Sequence, residues 1–216
     1  WDTFFAHLEE DGFVGLRLIR TEDLPAIEAR LVERGCRFDS WDVFSAEADT
    51  VRAALAEMDT GLPEGFAPAD PSRRTDPGFI ARVQAFMGEN GVVPFSGAML
   101  AGEICASALT VIEAADGSIA ATAFGYFPHN GHSPHAETMW GGLAAVDPRW
   151  RGRRLGVLAN ALMLEACVDA CGARAVYELA SATNEASRRM IRRCGLSHDP
   201  GLVCGGATRG DARFTR

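Results

Sequence analysis

From Met139 to Cys171 an apolar stretch stops at an Asp-Pro pair, passes through a ten-residue run with four arginines and two glycines, and resumes with helical spacing. The stretch Met139 to Val146 is apolar and interrupted by glycine, Asp147-Pro148 breaks it, and Leu155, Leu158, Leu162 and Ala166 recur at the period of a helix. Asp-Pro-Arg-Trp-Arg-Gly-Arg-Arg-Leu-Gly, residues 147–156, is therefore a loop that feeds a helix N-terminus. The first backbone N–H groups there lack intrahelical partners and sit at the positive end of the helix dipole, a place for phosphate with arginine beside it. A short strand, Ala175 to Ala180, follows the helix, and strands on both sides of a crossover helix imply at least one parallel pair.

Composition narrows the phosphate ligand. The chain has no lysine, which removes the Walker-type nucleotide loop and its phosphate-reaching Lys, and the kinase lysine with it. The Gly152 to Gly156 spacing does not match the Gly-x-Gly-x-x-Gly dinucleotide fingerprint. Charge is divided: residues 1–147 hold 9 Arg against 23 acids, and residues 149–216 hold 12 Arg against 6 acids. A basic half suits an anionic cofactor and an acidic half a cationic substrate, or the two signs belong to solvated helix faces. The sequence pI near 5.1 and the absence of aromatic-basic interleaving speak against nucleic acid. No apolar run approaches a membrane span, so no membrane partner is expected.

Arg151-Gly152-Arg153-Arg154-Leu155-Gly156 resembles the acyl-CoA pyrophosphate loop of the GNAT superfamily of N-acyltransferases, Gln/Arg-x-x-Gly-x-Gly/Ala. The strand ending Leu143-Ala144-Ala145-Val146, the Asp147-Pro148 turn, Trp150 before Arg-Gly, the long helix to Cys171 and the later Asn184-Glu185-Ala186-Ser187 look like family landmarks in family order, so that the resemblance covers roughly residues 104–196. It implies an α/β fold with a mixed, largely antiparallel sheet splayed around an acyl-CoA cleft and flanked by helices. It also implies acetyl-CoA as cosubstrate, with no metal, and acetyl transfer to a primary amine by direct attack. Ala144, Ala145 and Val146 would then orient the pantetheine and thioester, Arg151 to Gly156 hold the diphosphate, and Asn184, Ser187 and Arg188 meet the cofactor from the second motif. Asn184 as a plain helix cap is the competing reading.

Two departures matter. The loop position where the family has Gly is Arg154, and the position seven residues after the motif Asn, where many members have a general-acid Tyr, is Ile191. The second loss is also what a non-catalytic acyl-CoA-binding regulatory module would show, the alternative to an enzyme. An amine near pKa 10.4 must lose a proton before it attacks, so a base is expected. Glu137 at the start of the loop-feeding strand is the first candidate and His135 the second. His129, His132 and His135 lie in a Pro/Gly loop that does not pre-align metal ligands, and they are expected to line the substrate mouth.

The remaining expectations concern organisation. One domain spans residues 1–216, with residues 1–103 as the substrate side and residues 104–216 as the acyl-CoA core. A strand Phe13 to Arg20, a helix from Leu24, helices Ala46 to Met58 and Pro77 to Glu89, an exposed loop Gly61 to Asp76, a hairpin turning at Asp116-Gly117 and a helix Asn184 to Cys194 complete it. Six cysteines without a Cys-x-x-Cys pair read as reduced, buried thiols of a cytoplasmic protein. No secretory signal is visible at the N-terminus. The acceptor is expected to be a small molecule rather than a protein, with a homodimer left open.

Overall fold

A computed structural model describes residues 1–210 of the chain. In chain order it contains α1 Asp2–Asp11, β1 Phe13–Arg20, α2 Leu24–Val32, β2 Cys36–Glu47, α3 Ala48–Ala56, β3 Phe66–Pro68, α4 Pro77–Glu89, α5 Gly97–Ala101, β4 Ser107–Ala114 and β5 Ile119–Tyr126. It continues with β6 Thr138–Val146, α6 Leu155–Glu165, β7 Ala175–Ala180, α7 Glu185–Arg193 and β8 Ser197–Arg209. A π-helical turn, Ala166–Ala170, prolongs α6. Among the described residues no helix is long and apolar enough to cross a membrane.

The chain forms two compact units. The first takes in Trp1–Phe44, Leu179–Glu185 and residues 198–210. Its strands run β1-β8-β2, with β1 antiparallel to β8 and an irregularity between Leu16 and Ile19, where Leu18 takes a φ of 50°. Phe5 and Leu8 of α1 and Leu31 of α2 pack with Cys36 and Ala207 into its core. None of the sequence patterns pointed to α1, β2 or β8.

The second unit, Ser45–Glu178 with Ala186–Ser197, carries the strand order β7-β6-β5-β4-β3. β3, β4, β5 and β6 pair antiparallel in succession, and β6 pairs parallel with β7, the parallel pair that a crossover helix requires. The Gly61 to Asp76 stretch is less of a loop than expected: Phe66–Pro68 adds an edge strand to β4 and Pro71–Thr75 forms a 3-10 turn capped by Asp70. Phe79, Ile80, Val83 and Met87 of α4 and Leu100 of α5 pack on Val111, Ile119, Phe124 and Ala145 of the sheet.

Strand alternation sends the neighbours of those residues toward α6. There the sheet uses glycine: a Cβ on Gly125 would lie 2.6 Å from Cys167 Sγ and 2.9 Å from Met163 Sδ, and one on Gly141 would lie 2.7 Å from Met163 Cε. These two positions let α6 settle against β5 and β6. Gly125→Ala is expected to lower stability by about 1–3 kcal/mol through overpacking, because Trp140 O at 3.2 Å blocks the other direction. A thermal melt that shifts by less than a degree would contradict this packing.

Candidate active site

The loop after β6 is built from short-range bonds. Asp147 caps the turn Pro148–Trp150 by accepting from Arg149 N at 2.8 Å, and it also holds the Arg149 guanidinium at 2.6 Å. Those bonds keep its carboxyl below the usual range, the Arg149 side chain being the main cause. Gly152 with φ 79° and Arg154 with φ 65° are both left-handed, so the chain reverses twice before α6 begins. Arg154 is the N-cap and makes no side-chain cap bond; the first intrahelical bond runs from Leu158 N to Arg154 O at 3.0 Å. The amides ahead of Leu158 thus have no carbonyl within α6 and face the mouth of the loop.

Side chains around this mouth are sorted. Arg153 stacks over the Trp150 and Phe66 rings at 5.3 and 5.9 Å. Arg154 turns aside to Asp59, donating to its carbonyl at 2.8 Å. Arg151 is exposed in extended conformation. Gly156, in the first turn, is closely packed: a Cβ would come 3.1 Å from Val146 Cγ2, which would have to give by a few tenths of an ångström, and 3.8 Å from Met190 Sδ of α7. The end of β6, the start of α6 and one face of α7 therefore meet at Gly156.

Because Arg154 is left-handed where the resembling loops carry Gly, the departure falls at a backbone position that glycine suits. Arg154→Gly is expected to raise stability by about 1 kcal/mol, since the exposed pair with Asp59 offsets little of the left-handed strain. Chemical denaturation compared with the parent chain measures this, and a loss of stability would refute it.

β6 itself parts from β7. Their ladder runs from Thr138↔Ala175 to Gly141↔Glu178, and β6 continues for Gly142 to Val146 beyond the last pair. Within that continuation lies a bulge: Thr122 faces Ala145 and Phe124 faces Gly142, with Leu143 at φ 50° between them. Leu143 and Ala144 together oppose the single residue Ala123. On the β7 side Gly142 to Val146 have no paired residue, and Leu143 and Ala144 lie outside the register with β5 as well.

On the face opposite α6, aromatic and imidazole rings line this parting. Tyr126, Trp140 and Tyr177 occupy paired positions on three adjacent strands. Phe95 lies 5.2 Å from Tyr126 and 5.9 Å from Trp140, and the Trp140 indole covers Gly142, where a Cβ would meet it at 2.6 Å. His129 stands 5.5 Å from His135 and 5.8 Å from Tyr177. Two of the three loop histidines are thus brought together, while His132 stays exposed, its N–H bound to Asn130 Oδ1. Glu137 lies elsewhere. Its side chain is 63% exposed and paired with Arg174 at 3.1 Å, and five residues of strand, roughly 17 Å, separate it from Gly142.

On the α6 face, directly beneath the last paired position, the sequence concealed a carboxyl. Glu178 is 1% exposed and accepts from Asn160 Nδ2 of α6 at 2.8 Å. Burial pushes it up to about 7, against a smaller lowering by that bond. A lone acid in a strand of otherwise apolar residues was the available signal. Asn184 precedes α7, its N–H bound to Ser181 O at 3.1 Å, and Ser187 and Arg188 lie in the first turns of that helix. Ile191 is 1% exposed, a core residue of α7. Arg192, Arg193 and Arg154 share a cavity of about 500 Å³ with Glu57 and Asp59, next to the loop.

Residues 97–196 match the Acetyltransferase (GNAT) family. Among solved structures, a Drosophila protein superposes with a TM-score of 0.65 at 19% identity, over 93% of this chain and 62% of the other. A GCN5-related N-acetyltransferase from Kribbella flavida gives 0.62 at 15% identity, over 99% and 73%. A GCN5-related N-acetyltransferase from Sphaerobacter thermophilus gives 0.55 at 17%, over 96% and 64%. The chain thus spans less than two thirds of the first of these. No curated protein sequence matches it. The mixed, mostly antiparallel sheet is the fold these structures share, and the likeness to the Acetyltransferase (GNAT) family lies in residues 97–196.

Proposed function

We propose that this domain transfers an acetyl group from acetyl-CoA to the primary amine of a small molecule by direct attack. The observation that carries the reading is the uncapped start of α6 set directly behind a strand whose main chain is freed from its neighbour. The diphosphate sits on the amides of Arg154 to Val157 with Arg151 beside it. The pantetheine runs along the bulged segment Gly142 to Val146, which places the thioester at the parting of β6 and β7. Ser187, Arg188 and Asn184 meet the cofactor from the second motif, and Arg192 and Arg193 supply positive charge for its remaining phosphate.

The acceptor approaches on the aromatic face. Its ammonium gives a proton to His135, which His129 backs at 5.5 Å, and the neutral amine attacks the thioester carbonyl. Main-chain N–H groups of the bulge stabilise the oxyanion, and collapse expels a thiolate whose ordinary pKa near 8.5 makes it a tolerable leaving group. This is why a buried Ile191 in place of an acid does not stop the reaction. Glu137, exposed and engaged by Arg174, is the weaker of the two bases on geometry. The reaction needs no metal and belongs in the cytoplasm.

Thiol release from acetyl-CoA over a panel of small amines, with calorimetry of coenzyme A binding, tests the reading. Turnover with at least one amine is expected, and His135→Gln should lower kcat about 10²-fold with coenzyme A affinity retained. Tight cofactor binding without release for any amine would establish instead the binding module that Ile191 suggests.

A further inference from the structure

We propose that the cavity at the open edge of β4, with Arg74 in its wall, is a binding site for a small monocarboxylate with an apolar body, separate from the diphosphate loop. β3 covers β4 only from Ile112 to Ala114, and Ala69 N continues the cover by donating to Val111 O at 2.8 Å. From Ser107 to Leu109 the edge opens into a cavity of about 390 Å³, within the range of about 300–1,000 Å³ of small-molecule sites. Phe79, Leu109, Val111, Leu162 and Ala166 make its walls apolar.

The charged residues of the wall are Arg74 and Asp70, and Asp70 is engaged by its own turn, accepting from Ser72 N at 2.8 Å. Arg74 donates from Nε to Leu100 O at 2.5 Å, from Nη1 to Ser107 O at 2.6 Å and from Nη2 to Ser107 Oγ at 2.5 Å. Those acceptors are neutral, they use three of the five guanidinium N–H groups, and among the described residues no carboxylate bridges Arg74. Gly102 fixes the guanidinium plane, since a Cβ there would lie 3.2 Å from Arg74 Cζ. Burial already lowers the proton affinity of this cation. Ser107 O and Val111 O both bond away from β5, so alternation points the Leu109 N–H the same way, into the cavity beside Arg74.

A half-buried cation that no carboxylate bridges, an adjacent free strand-edge amide and an apolar pocket select an anion with an apolar tail. A carboxylate satisfies both spare Arg74 N–H groups and the Leu109 amide, while its body displaces water from Phe79 and Leu162. The walls include the π-helical turn at Ala166, a widened helix geometry that recurs at functional sites. Ala166 is eleven residues along the helix from Leu155, roughly 16 Å from the loop, so the site does not depend on the reading of that loop.

Calorimetric titration of the whole chain with octanoate and with 1-octanol tests this. Octanoate is expected to bind at least about 10-fold more tightly than the alcohol, and Arg74→Met to weaken octanoate about 10–100-fold. Ala166→Phe fills the cavity without touching Arg74; it should abolish octanoate binding while the melting temperature and the response to coenzyme A stay those of the parent. No octanoate binding by the folded chain, equal affinity for the alcohol, or octanoate affinity unchanged in Ala166→Phe would each overturn the proposal.

Discussion

Gly156→Asp is expected to weaken coenzyme A binding about 10²–10³-fold while leaving the chain folded. The position lies in the first turn of α6, at the amides proposed to hold the diphosphate, and Val146 Cγ2 already stands 3.1 Å from where a Cβ would be. An aspartate there sets a carboxylate against the diphosphate and competes for the same N–H groups. Each charge-assisted bond lost is worth about 1.5–3 kcal/mol, and two losses near the lower end give the range stated. Folding tolerates the change, because an acid in the first turn of a helix is favoured by the dipole. Calorimetry with coenzyme A gives the affinity and circular dichroism the fold. Undiminished affinity in a folded variant would remove the diphosphate from the start of α6 and with it the proposed orientation of the cofactor.

That part of the fold was legible because its signals are local. Asp147-Pro148 stops a strand, Gly152 supplies a left-handed turn, and the period from Leu155 defines a helix; β1, α4 and β7 have the limits that alternation and turn residues indicated, and β6 starts one residue before the apolar stretch, at Thr138. β2 was missed because Asp39, Ser40 and Asp42 interrupt its apolar alternation, and β8 because Pro200 and the pair Gly205-Gly206 look like a loop. In the structure those glycines are required by packing: a Cβ on Gly205 would meet the Phe38 ring at 2.2 Å and one on Gly206 the Phe13 ring at 2.1 Å. Such contacts join residues far apart in sequence, which no local pattern encodes.

The site divides in the same way. Its loop follows from adjacent residues, whereas its face depends on strand register, which puts Tyr126, Trp140 and Tyr177 in one row. Glu137 looked well placed by proximity in sequence to the loop-feeding strand, but an extended chain carries it away by about 3.3 Å per residue. Glu178 was hidden for the opposite reason: its partner Asn160 belongs to another element, and only packing of α6 beneath β7 brings the two together.

That pair leads to the second large effect, on stability: Glu178→Gln is expected to stabilise the protein by about 3 kcal/mol at pH 8 and by little at pH 4. Asn160 donates to one oxygen of Glu178, yet Asn160 Oδ1 is buried without a hydrogen-bond partner when the carboxyl is a bare acceptor. A protonated carboxyl resolves this, its O–H donating to Asn160 Oδ1 while the other oxygen accepts from Nδ2, an acid–amide pair with both groups satisfied. Burial raises Glu178 from 4.5 to about 7, so below pH 4.5 both folded and unfolded chains hold the proton. Between 4.5 and 7 the unfolded chain releases it and the folded chain keeps it, and stability falls by about 1.4 kcal/mol per pH unit until the folded carboxyl also ionises. Glutamine forms the same two bonds at every pH and has no proton to lose. Urea denaturation of parent and variant from pH 4 to pH 8 should therefore show a falling curve for the parent and, from this site, none for the variant. Parallel curves across that window would mean that Glu178 is ionised in the folded protein and that Asn160 Oδ1 is satisfied in another way.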